Sequence, residues 1–185
     1  MKIYAEKALL PGGFANDAVV TVNGGYIRAI GSGKAKDADV CAKILTPGLY
    51  DKHEHGALGF DASRPDEDKC RKWLKLLASH GVTNVLYTVS TGDPDRLNKA
   101  IDFAAHVMEA QKLGDFEGCR IEGVHMEGPF ISPVRSGAMA KDKILPPSME
   151  NFYMMVSCLM DLVKMLKGHT HLLNKYQQIK LEVFG

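Results

Sequence analysis

The rhythm of hydrophobic and polar positions changes near residue 47. Before it, apolar residues come in short, alternating or β-branched runs. Ala18-Val-Val-Thr-Val22 and Tyr26-Ile-Arg-Ala-Ile30 flank Asn23-Gly24-Gly25, a sequence that predicts two strands joined by a tight hairpin. Leu9-Leu10-Pro-Gly-Gly predicts a strand running into a turn, and Cys41-Ala-Lys-Ile-Leu45 a further strand. Residues 1–46 therefore read as a small β module, expected to be a β-sandwich, with no histidine in it.

From residue 47 the period alternates between that of a strand and that of a helix. A short strand ends at His53-Glu-His55. Pro65, followed by acidic residues, predicts a helix start, with Pro65 at the first helical position. Cys70, Trp73, Leu74 and Leu77 follow as one apolar stripe at helical spacing, and Gly81 stops the helix. Val82–Val89 is a continuous β-rich run of the kind found in buried parallel strands. Asp93-Pro94 opens a second helix with Leu97, Ile101, Ala104, Ala105 and Met108 inward, ended by Gly114. Cys119–Glu127 is a third strand, closed by Gly128-Pro129. Strand, helix, strand, helix, strand with short links predicts right-handed crossovers and a parallel sheet over residues 47–148. Residues 149–185 break the pattern and read as an atypical helical tail. Phe152–Leu166 is apolar nearly all round, His169 and His171 form a second His-x-His after it, and Tyr176–Phe184 alternates like a strand.

Charge and cysteine usage narrow the function classes. The net charge is +1 over 185 residues with no Lys/Arg cluster, which argues against a nucleic-acid partner. No apolar run reaches the ~18–20 residues that cross a bilayer. The four cysteines are widely spaced, without a C-x-x-C pair, and read as reduced thiols of a cytoplasmic protein.

Candidate chemistry sits at the strand ends. Successive side chains of a strand point to opposite faces, so His53 and His55 share a face while Glu54 points back. Two imidazoles about 6.5–7 Å apart at Cα can converge on one cation, and Gly56 lets the backbone turn away directly after them. An isolated His-x-His is also ordinary surface polarity, so a third ligand is needed. Glu127 ends the third strand, where parallel α/β folds gather their chemistry. Two readings of it stand: a loop carboxylate in water, or the carboxylate of a metal set with His53 and His55. His125 shares the face of Glu127 and reads as a weaker inner ligand or a packed side chain. His80 reads as a helix C-terminus and His106 as exposed.

Two motifs carry a resemblance. Pro47-Gly-Leu-Tyr-Asp-Lys-His-Glu-His-Gly56 resembles the first-strand motif of the amidohydrolase superfamily, and Gly123-Val-His-Met-Glu-Gly-Pro-Phe-Ile-Ser-Pro133 resembles the signature of its N-acetylglucosamine-6-phosphate deacetylases. His80-Gly-Val-Thr-Asn84 is in the same style, and the resemblance runs from about residue 1 to about residue 150. It implies a TIM-type (β/α) barrel, of which this α/β chain would supply the first three or four βα units, behind a small β domain built from both chain ends. It implies metal-dependent hydrolysis of the acetamide of an amino-sugar phosphate, a small-molecule substrate. The metal would be zinc or iron, as one ion or two, held by Glu127 with His53 and His55. Ala138 and Met139 fall where the family contacts the sugar, Met139 standing in place of a histidine. The family's two later histidine ligands and its late proton-transfer aspartate have no counterpart in the 185 residues, so the resemblance also implies a catalytically incomplete fragment as the alternative. Half a barrel would leave strand edges open to homodimerisation or other self-association.

Overall fold

The computed structural model describes residues 1–151, which fall in two units divided after Gly48. The first, Met1–Gly48, is one four-stranded sheet. Its strands are β1 (Lys2–Leu10), β2 (Gly13–Asn23), β3 (Tyr26–Ser32) and β4 (Val40–Leu45), in the order β3-β2-β1-β4. The hairpin between β2 and β3 is the one the sequence predicts: Asn23 pairs with Tyr26, and Gly24 and Gly25 between them have φ of 58° and 77°. Both central residues at positive φ give the turn whose twist matches the flanking strands. β4 joins the sheet parallel to β1.

The sandwich expected of this module is not what the described residues form. They make a single layer, for a physical reason. The buried side chains are Ala5, Ala8, Ala18 and Val20, too few and too small to build a two-sheet core, while Phe14, Tyr26, Ile27, Ile30, Val40 and Ile44 remain exposed.

The second unit begins at Leu49 and alternates strand and helix. Its elements are β5 (Leu49–Glu54), α1 (Glu67–Ser79), β6 (Val82–Ser90), α2 (Pro94–Lys112) and β7 (Arg120–Glu127). The three strands form a parallel sheet in the order β5-β6-β7, so spatial order follows chain order. The last described stretch carries two short 3₁₀ turns, Pro133–Arg135 and Lys141–Lys143. The expected helical tail lies outside the described residues from 152 onward, together with Cys158, His169, His171 and the strand pattern over 176–184.

Local chemistry explains the boundaries. Asp66 caps α1 by accepting from the Lys69 amide at 3.0 Å, so Pro65 precedes the cap instead of occupying the first helical turn. Asp93 caps α2 with Pro94 directly behind it, as the sequence predicts. Gly81 and Gly114, each at φ 81°, end the two helices. The apolar stripe of α1 packs on β6: Phe60 stacks on Trp73 at 5.0 Å, and Tyr87 meets Trp73 edge-on at 6.2 Å. The buried Tyr87 hydroxyl donates to the Ala62 carbonyl at 2.7 Å. Ile101 and Ala105 of α2 pack against Val124 and Met126 of β7. Covered in this way, β6 is buried on both faces at Val85, Tyr87, Thr88 and Val89. No described helix is long and apolar enough to cross a membrane.

Candidate metal centre

Three side chains converge at the carboxyl ends of β5 and β7. His53 Nε2 lies 3.6 Å from one carboxylate oxygen of Glu127, and His55 Nε2 lies 3.0 Å from the other. Their ligand atoms all lie within 4.8 Å of one another. His53 is exposed; His55 and Glu127 are half-buried. β5 and β7 are not neighbours, since β6 stands between them, and two strand spacings amount to about 9–10 Å. Imidazole and glutamate side chains are long enough to close that span.

The backbone around the trio is held by groups that leave the ligand atoms free. His55 Nδ1 lies 3.2 Å from the Thr88 carbonyl of β6. A carbonyl only accepts, so Nδ1 is the donor in this contact and Nε2 is the ring nitrogen directed at Glu127. The Glu54 amide donates to the Thr88 hydroxyl at 3.1 Å, and the Glu54 carboxylate accepts from the Gly56 amide at 2.8 Å, apart from the ligand set. The Glu127 carbonyl accepts from both the amide (3.1 Å) and the hydroxyl (3.0 Å) of Thr91. Gly128 follows at φ 92°, and a Cβ there would lie 2.0 Å from the Thr91 hydroxyl oxygen. Glycine is thus required where Glu127 meets the end of β6. Gly56 has a similar part after His55: it sits at φ 123°, and a Cβ would stand 2.4 Å from the Phe60 carbonyl oxygen.

A cleft of about 870 Å³ opens beside the trio. Its lining includes His55, Glu127, Asp61, Arg96, Arg135 and Met139. Ala138 also lines it, so both residues singled out as sugar contacts face the same space as the candidate metal ligands. The Met139 sulfur lies 3.2 Å from the Thr91 hydroxyl oxygen, and the Met139 amide donates to the Ser136 carbonyl at 3.0 Å. Sequence reasoning missed Thr88, Thr91 and the two arginines. Nothing in a lone threonine or arginine marks it before the strands are placed side by side.

Comparison with known proteins follows the same lines. No family profile matches the chain. The N-acetylglucosamine-6-phosphate deacetylase of Bacillus subtilis (strain 168) is 28% identical over 156 residues, 81% of this chain and 38% of that protein. That of Vibrio furnissii is 32% identical over 139 residues, 72% of this chain and 34% of its own length. The chain is related to the N-acetylglucosamine-6-phosphate deacetylases. It spans less than two-fifths of the length of these two relatives. Among solved structures, the deacetylase of Mycobacterium smegmatis matches with a TM-score of 0.73 at 23% identity, covering 85% of this chain and 44% of that one. A mutant of that enzyme, solved in complex with N-acetyl-D-glucosamine-6-phosphate, matches with a TM-score of 0.72. At this identity the structural likeness is one of fold.

Proposed function

We propose that this chain carries the metal-binding half-site of an amidohydrolase that removes the acetyl group from an N-acetylated amino-sugar phosphate. The observation that carries the reading is the convergence of His53, His55 and Glu127 from two non-adjacent strands. Two neutral imidazole nitrogens and a carboxylate are a donor set for a borderline divalent cation, zinc or iron. When bound, such an ion supplies Lewis-acid polarisation of an acyl oxygen and a lowered pKa for water. The chain's own residues account for the rest. The Thr88 carbonyl holds the His55 ring in the tautomer that frees Nε2, and Thr91 holds the backbone of Glu127. Arg96 and Arg135 give the cleft cationic lining suited to a phosphorylated ligand, while Ala138 and Met139 line the space a sugar would fill. The parallel strand order and the strand-end site support reading the unit as the opening part of a (β/α) barrel.

The test combines metal content with turnover. The purified chain is expected to hold zinc or iron stoichiometrically, and Glu127→Gln to lose it. Unchanged metal content in that variant would remove Glu127 from the site. Acetate release from N-acetylglucosamine 6-phosphate would establish the full reaction for these 185 residues. Metal without acetate release would leave the chain a binding half-site, because the described residues hold three ligands and, apart from Glu127, only Asp61 as a carboxylate lining the cleft.

A further inference from the structure

The strand that bears both imidazoles is irregular at the point where it bears them. β5 pairs with β6 through Leu49, Tyr50 and Asp51, then slips before Glu54, so Lys52 and His53 have no register partner on β6. An irregularity of this kind leaves backbone groups outside the ladder, and something else must satisfy them. The His53 amide donates to the Asp51 carboxylate at 3.0 Å. The Lys52 carbonyl is met from the far side of the sheet: His125 Nδ1 of β7 lies 3.1 Å away. A carbonyl cannot donate, so His125 holds its proton on Nδ1 and gives it to Lys52. The same ring meets His53 edge-on, with centroids 5.0 Å apart at 75°.

We propose that His125 is a positioning residue of the metal centre, clamping the slipped end of β5 to β7 across β6 and fixing the direction in which His53 presents its Nε2. The backbone ladder cannot do this, because β5 and β7 each pair with β6 and not with each other. β7 thus contributes twice: Glu127 to the ligand set, and His125, two residues earlier on the same face, to the strand carrying the other ligands. The inference rests on the metal reading above, but its structural half is independent of any ion.

Two variants and one spectrum decide it. In the metal-free full chain, long-range ¹H–¹⁵N spectra of the imidazoles should show His125 protonated on Nδ1; a His125 with bare Nδ1 overturns the proposal whatever the metal does. His125→Asn keeps a donor at the position of Nδ1, whereas His125→Phe keeps a ring without one. His125→Phe is expected to weaken zinc binding by about 10–100-fold, the usual effect of removing a group that orients a ligand, and to alter the visible spectrum of the cobalt(II) form. His125→Asn should restore most of both. Wild-type affinity and spectrum in His125→Phe, or an equal loss in His125→Asn, would refute it. Should His125→Phe fail to fold by circular dichroism, His125→Asn and the imidazole spectrum still decide. A wild-type chain that binds no metal at all would defeat the proposed function alone. The shift of the His53 ring resonances between wild type and His125→Asn, expected to be small, would then stand as the remaining readout, and a large one would count against the clamp.

Discussion

At the scale of single residues, the candidate centre depends as much on two glycines as on its three ligands. Gly128 brings Glu127 against Thr91 with no room for a side chain, and Gly56 does the same for His55 against Phe60. Both sit in the left-handed half of backbone space, where an L side chain costs about 1–2 kcal/mol before any clash is counted. Gly128→Ala is therefore expected to lower stability by at least about that amount. It should also break the Thr91 contacts to the Glu127 carbonyl and weaken metal binding. Urea unfolding together with a zinc titration would check this; unchanged values in both would show that the Thr91 contact does not set the position of Glu127.

At the scale of elements, α1 is fastened to the sheet by an aromatic stack whose centre is Trp73, fully buried between Phe60 and Tyr87. Replacing a buried tryptophan by alanine removes a large apolar surface and leaves a cavity, a cost of about 3–5 kcal/mol. Trp73→Ala should lower the urea midpoint accordingly, and a loss under about 1 kcal/mol would mean that the helix is held by something other than this stack. The two buried thiols of this core make a second, pH-dependent prediction. Burial pushes Cys70 and Cys119 each up to about 12. In the unfolded chain a thiol ionises near about 8.5, so above that pH the unfolded state sheds protons that the folded state keeps. Their contribution is fully present below about pH 8.5 and is lost progressively as pH rises toward 12. Urea midpoints at pH 7.5 and pH 10 should fall apart, with a smaller gap in Cys70→Ala/Cys119→Ala; equal gaps would place the alkaline sensitivity elsewhere. Neither thiol is accessible in the folded chain, whereas Cys41 is exposed, so alkylation under native conditions should mark Cys41 and spare these two.

At the scale of the molecule, the parallel sheet has two edges: among the described residues β5 and β7 each pair on one side only. Unpaired edges are templates for further strand pairing. The small β unit likewise exposes Phe14, Tyr26, Ile27, Ile30, Val40 and Ile44 from a single layer. The purified chain is therefore expected to self-associate, with a weight-average mass that rises with concentration above 20.3 kDa in sedimentation equilibrium. A constant monomer mass up to high micromolar concentration would show that these edges and side chains are covered in solution.

The residues by themselves determined the alternation of strand and helix, the Asn23–Tyr26 hairpin and the helix stripe through Trp73. They also determined that His53, His55 and Glu127 stand at strand ends. Each of these follows from local period, capping or turn chemistry, which a chain carries in its own order. What only the tertiary structure decided is how the strands stand against one another. That Asp66 and not Pro65 opens α1 depended on which amide the Asp66 carboxylate reached. The single layer of the first unit depended on what its few small buried side chains could cover. The slip of β5 after Asp51, the grip of Thr88 on His55, the hold of Thr91 on Glu127 and the reach of His125 to Lys52 all join positions more than thirty residues apart. Contacts of that kind arise from pairing register and side-chain reach across a sheet, and neither is written in any one segment of the sequence.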